Sequence, residues 1–168
     1  MPLTLYEATI PVFIRTFGHF SKFLDKGRAF ADEKGIPHSE LLEARLYPDM
    51  GPLTAQVQRA SDTTRFAAIR VAQVEPVAMA DNETSFDELQ DRIARTVDFL
   101  KAVPPQAIDG GEDIQVTIKA QQFTTEYKGK DYLLSFALPN FYFHVTTAYG
   151  ILRHKGVPLG KLDFFGRS

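Results

Sequence analysis

The stretch PNFYFHVTTAYGILRHKGV, residues 139–157, decides both the fold and the place to look for function. Read as a helix, it continues a series that begins upstream: Leu133, Ala137, Asn140, His144, Ala148 and Ile151 follow at three- and four-residue steps. Side chains so spaced share one helix face. The end of the helix is marked as clearly. Arg153, His154 and Lys155 complement the negative end of the helix dipole, Gly156 suits a left-handed cap and Pro158 blocks continuation. The predicted helix runs from Asp131 to Lys155, and its stripe needs other helices to cover it. An amide and an imidazole, Asn140 and His144, lie on that inward stripe. Burying either without a partner costs about 1–3 kcal/mol, so the fold must supply hydrogen bonds, water or a ligand.

Working outward, three more segments carry a helical period. In the first, Thr4 and Glu7 have capping-box spacing and Ile10, Phe13, Phe17, Phe20 and Leu24 form the stripe, with Pro11 expected to kink or restart the helix. It ends by Gly35-Ile36-Pro37, and Ser39 can cap a short turn through Leu42. The second long helix is predicted to start at Pro52, with Asp49 serving its free amides, and presents Leu53, Val57, Ala60, Thr64, Ala67 and Val71. Gln56 sits at the margin of this stripe, where a long amide can reach a neighbouring helix. In the third, Ser85 and Glu88 form a capping pair ahead of Phe86, Leu89, Ile93, Val97 and Leu100, and Pro104-Pro105 stops it. Between Asp113 and Tyr127, IQVTI and QFTTEY are β-branched and aromatic, flanked by Gly110-Gly111 and Lys128-Gly129-Lys130 turns, so a small hairpin is expected there. Four amphipathic helices that need one another predict an all-α four-helix bundle, residues 1–168 in one domain, with the hairpin between the third and fourth long helices.

Composition narrows the function classes. The 168 residues are 44% hydrophobic and 24% charged, as in ordinary globular chains. Nineteen basic against 21 acidic side chains leave a formal charge of -2, which argues against nucleic-acid or anionic-membrane partners. With no cysteine, thiolate metal sites and cysteine nucleophiles are excluded, and the four histidines and the carboxylates remain as metal ligands. No secretory signal or run of 18 apolar residues is visible, so a cytoplasmic protein is expected.

The pattern His144-x8-Arg153-x2-Gly156-Val157 closing the fourth helix resembles the DinB/YfiT-like bundle superfamily. More closely, LYPDMGPLTAQVQRASD from Leu46 and NFYFH…AYGILRHKGV from Asn140 resemble an uncharacterised domain-of-unknown-function branch of it. Better-understood members hold a divalent metal with one histidine on the second helix and two on the fourth, and some act as metal-dependent thiol transferases or hydrolases. Carried over by position, these ligands fall at Gln56, Asn140 and His144. The resemblance therefore implies a degenerate metal site in which only His144 keeps its ligand type. Amide oxygens are weak ligands for zinc or nickel beside imidazole. The expectation is a small-ligand-binding or scaffold protein, with no cofactor, whose pocket comprises Gln56, Asn140, His144, Thr147 and Tyr142. The alternative is a divergent thiol transferase or hydrolase using His144 with weakly bound zinc or nickel. A homodimer through exposed helix faces is the expected assembly.

Other polar residues are expected to play local parts. His154 favours the helix dipole, and His19 and His38 are solvated or locally bonded. Asp81, Glu83, Asp87 and Glu88 cap the third helix, and Phe164 and Phe165 dock the C-terminal tail on the bundle.

Overall fold

A computed structural model describes residues 2–120 and 123–167. Helix α1, Ile10–Lys34, is preceded by a turn in which Thr4 and Glu7 form the expected reciprocal cap at 3.0 and 3.1 Å. Pro11 lies in the first turn of α1, where it has no N–H to leave unpaired, so it restarts the helix and does not kink it. After the short α2, Ser39–Leu42, comes α3, Leu53–Ala72. Pro52 is its cap and not its first helical residue, and among the described residues no side chain caps it, so Asp49 does not take the predicted part. Helix α4, Phe86–Lys101, is capped by Ser85 Oγ, which accepts from the Glu88 amide at 3.2 Å. A short α5, Pro105–Asp109, leads to strands β1, Gln115–Ala120, and β2, Phe123–Lys128. They pair antiparallel with Val116 opposite Tyr127 and Ile118 opposite Thr125. The expected hairpin is present, although its reversal at residues 121–122 lies outside the described residues. Gly129 at its exit is required sterically, because a Cβ there would stand 2.0 Å from the Gly111 carbonyl oxygen.

The fourth long helix departs from the expectation of one continuous rod. A single turn, α6 (Gly129–Asp131), passes into a π-helical segment, Tyr132–Ala137, and only then into α7, Leu138–His154. Pro139 gives the reason: it cannot donate to the preceding turn and its ring excludes the carbonyl four residues back, which a wider turn accommodates. α7 closes as predicted, with Gly156 at φ +95° and the Val157 amide reaching the Leu152 carbonyl at 3.0 Å. The final turn, α8, spans Lys161–Phe164.

Helix α3 packs between α4 and α7, and α1 closes the bundle against α4 and α7. The predicted stripes of α1 and α3 are buried throughout, and those of α4 are buried except at Val97, which is half-buried. Phe141 of α7 meets Phe13 and Phe17 of α1 edge-on, at 5.0 and 5.1 Å between centroids. The tail docks through Phe164 on Phe23 and Tyr149, and through Asp163, paired with Lys26 at 2.5 Å. Phe165 does not dock and is 53% exposed. His19 is bonded over long range, not locally, donating from Nδ1 to the Phe164 carbonyl at 3.1 Å, while His38 meets Asp32 at 2.8 Å. No helix is long and apolar enough among the described residues to cross a membrane.

Candidate functional site

Two polar side chains meet between α3 and α7. Gln56 is 1% exposed and His144 8%, and His144 Nδ1 lies 2.8 Å from Gln56 Oε1. The amide orientation is set from behind, because Gln56 Nε2 donates to the Gly51 carbonyl at 2.8 Å. An amide oxygen only accepts, so the proton of a neutral imidazole resides on Nδ1 and Nε2 carries the lone pair. The neutral form is the one present at neutral pH: burial, followed by the nearby Arg59 cation, pushes His144 down to about 4. The ring is thereby a fixed donor on one side and an acceptor on the other.

Asn140, half-buried one turn earlier, donates from Nδ2 to Thr63 Oγ1 at 2.7 Å, and that hydroxyl donates onward to the Arg59 carbonyl at 2.7 Å. His144 and Asn140 line a cavity of about 240 Å³ whose walls come from α3, β1, the π-helical segment and α7. Ile118 of the hairpin and Phe136 of the π turn form part of its apolar wall. The widened turn and the hairpin together bound the cavity at the end of α7 where Asn140 and His144 sit.

Tyr142 and Thr147 do not join this cavity. They border a separate apolar groove with Leu46 and Phe143, and Thr147 spends its hydroxyl on the Phe143 carbonyl at 2.7 Å. Tyr142, two residues before His144, leaves the helix on a different side from the stripe, while Thr147, three residues after it, stays at the stripe's margin but borders the other groove.

The whole-chain arrangement has relatives. Residues 5–165 match the model of a family described as Domain of unknown function (DUF1993). The chain belongs to the DUF1993 family. A crystal structure described as a DinB family member protein from Shewanella denitrificans superposes with a TM-score of 0.89 at 35% identity, covering 96% of this chain and 92% of that one. The DUF1993 chain thus has a DinB-like fold. Comparison with curated proteins finds no match.

The DUF1993 site can be tested against the metal that the superfamily implies. Its donor set is one imidazole nitrogen and two neutral amides, and Gln56 Oε1 and His144 Nδ1 are turned toward each other. Asn140 presents its NH₂ to Thr63, not an oxygen to a common centre. Among the described residues no three His, Cys, Asp or Glu side chains converge as metal ligands. These residues do not fit a tetrahedral zinc or nickel centre.

A second polar cluster lies across α3, facing α4. Arg92 is 1% exposed and pairs with Glu83 and Asp62 at 2.8 Å and with Asp81 at 2.9 Å, while Asp62 also meets Arg65 at 2.5 Å. Arg92 also donates to the Ala80 carbonyl at 3.1 Å, and Arg65 to that of Val77, so two arginines strap the 73–85 connection across the α3–α4 seam. Asp81 and Glu83 therefore do not cap α4, whereas Glu88 does its expected work there and Asp87 pairs with Arg28. Burial raises Glu83, but hydrogen bonds from Arg92 and Gln58 outweigh it and hold the carboxyl below its usual range. The sequence signal was present. Arg92 follows Leu89 by three residues and precedes Thr96 by four, the same face logic that singled out Asn140 and His144.

Proposed function

We propose that this DUF1993 protein is a metal-independent binder of a small organic molecule, held in the cavity beside Gln56, Asn140 and His144. The observation that carries the reading is the Gln56–His144 hydrogen bond. It satisfies two groups that a metal would otherwise recruit and leaves Nε2 as a fixed acceptor. At about 240 Å³ the cavity lies below the range of about 300–1,000 Å³ usual for drug-sized ligands, which favours a compact molecule. An imidazole held down to about 4 is poorly matched to general-base work at neutral pH. That supports binding over the thiol-transferase or hydrolase alternative. The protein is proposed to act in the cytoplasm.

Metal analysis of untagged protein beside His144→Ala tests the reading. The expected result is no stoichiometric zinc or nickel and an unchanged melting temperature when either is added in excess, since a native-state ligand stabilises by mass action. Stoichiometric metal lost in His144→Ala would overturn it in favour of the enzyme. The scaffold and homodimer reading has its own support in the apolar groove of Leu46, Tyr142 and Phe143, where Phe143 is 57% exposed. Sedimentation equilibrium of the wild type and Phe143→Ser decides that point, a dimer lost in the variant being the expected result.

A further inference from the structure

We infer that the cavity beside His144 selects a small organic anion: a carboxylate with a flat apolar body and a hydrogen-bond donor such as a hydroxyl. The inference rests on the proposed binding function and assigns its ligand class. Arg59 and Arg70 of α3 both border the cavity, and among the described residues neither is paired with an acidic side chain. Arg70 is pre-ordered. It donates to Tyr132 Oη at 2.9 Å and its guanidinium stacks on the rings of Phe66 and Tyr132 at 5.0 and 5.6 Å. Arg59 lies against the backbone of Gly51, where a Cβ would come within 2.7 Å of its Nη1, so the glycine leaves room for the cation next to the residue that orients Gln56.

The acid that borders the same cavity, Asp62, is already compensated by Arg65 and Arg92 at 2.5 and 2.8 Å. The lining is therefore left with unneutralised positive charge, and planar guanidiniums match a carboxylate bidentately. His144 specifies the second feature. Its Nε2 lone pair repels a bare carboxylate oxygen and accepts from a hydroxyl or N–H, so the ligand must bring a donor as well as a charge. Phe136 and Ile118 supply an apolar wall for the remainder.

Mandelate, a hydroxy-carboxylate with a phenyl body, is the probe, with mandelamide as its uncharged match and phenylacetate as its match without the hydroxyl. Titration calorimetry at pH 7 should give saturable mandelate binding. Affinity should fall about tenfold with Arg59→Gln, with mandelamide and with phenylacetate, as removal of one charged or charge-assisted hydrogen bond does. Arg59 is exposed, so its replacement leaves the fold intact, and the protein's circular dichroism checks this. Equal affinity for mandelamide, or mandelate binding indifferent to Arg59→Gln, would overturn the anion inference while leaving a ligand pocket in place. Failure of all three probes to bind would overturn the inference and weigh against the binding function itself, the case in which metal analysis decides for the alternative.

Discussion

Helix α3 carries a buried polar group on each side, and the two are built on opposite principles. Toward α7, Gln56 and His144 are neutral and joined in a short chain that ends on the Gly51 carbonyl. Toward α4, Arg92 and Arg65 are charged, share Asp62, and add Glu83 and Asp81 from a connecting segment. The charged side is also incompletely satisfied, since among the described residues Nε of both arginines is buried without an acceptor. Desolvating charge is expensive and demands several partners at once, so the ionic cluster must recruit a loop, while the neutral pair needs only one acceptor. The ionic cluster fixes how the α3–α4 seam is closed. The neutral pair holds a ring in one tautomer at the edge of a cavity.

The two sides of α3 should differ most at Arg92. Arg92→Met strands Glu83 without a cation and leaves Asp62 with Arg65 alone, and should cost about 3 kcal/mol, the lower end of what losing one partner of a buried pair costs, read from urea unfolding. A loss under about 1 kcal/mol would mean that the cluster is solvated and that the two sides of α3 do not differ in this way. Next in size is Gln56→Leu, which deprives both His144 Nδ1 and the Gly51 carbonyl of a partner; about 2 kcal/mol of destabilisation is expected in the same assay. Asn140→Ala removes one partly buried bond to Thr63 and should cost about 1 kcal/mol.

Acid sharpens the distinction, because the two sides titrate in different windows. The unfolded His144 takes up a proton near its ordinary 6.5, whereas the folded ring resists until about 4. The unfolded chain therefore binds more protons between those values, and the stability that the neutral ring contributes, whole above 6.5, declines as pH falls toward 4. Glu83 has its folded value depressed, so its contribution is present above the ordinary 4.5 and is lost only as pH drops below that. Unfolding midpoints at pH 7, 5.5 and 4.5 should show a slope in the wild type that is reduced in His144→Leu and unchanged in Glu83→Gln. Equal slopes in the wild type and His144→Leu would place the titrating group elsewhere.

Much of this arrangement is legible in the spacing of residues along the chain. The α1 stripe of Ile10, Phe13, Phe17, Phe20 and Leu24 is buried as its spacing requires, and Ser85 and Gly156 mark helix ends where their chemistry suits them. Gln56, His144 and Asn140 come to neighbouring positions, with Gln56 bonded to His144 and Asn140 turned aside to Thr63. Tyr142 falls outside the cavity because two residues along a helix turn a side chain to another face, and Thr147 falls outside it although three residues keep it near the stripe, its hydroxyl being bonded to the Phe143 carbonyl. Arg59 and Arg70 went unread for a different reason. A guanidinium at the margin of a stripe looks solvated until one knows which acids stand opposite it.

What the sequence determines by itself is periodic and local: where helices run, where they stop, which face is apolar and which polar residues fall on that face. Those features depend on backbone geometry repeated every few residues, and they are written in spacing. The tertiary structure alone decides pairing. That Asp62 is compensated by Arg92 from 30 residues away, that the turn before Pro139 widens, and that His144 Nδ1–H donates a hydrogen bond to Gln56 across 88 residues depend on which helices pack together. A hydrogen bond is formed by atoms in space, and distance along the chain does not specify it.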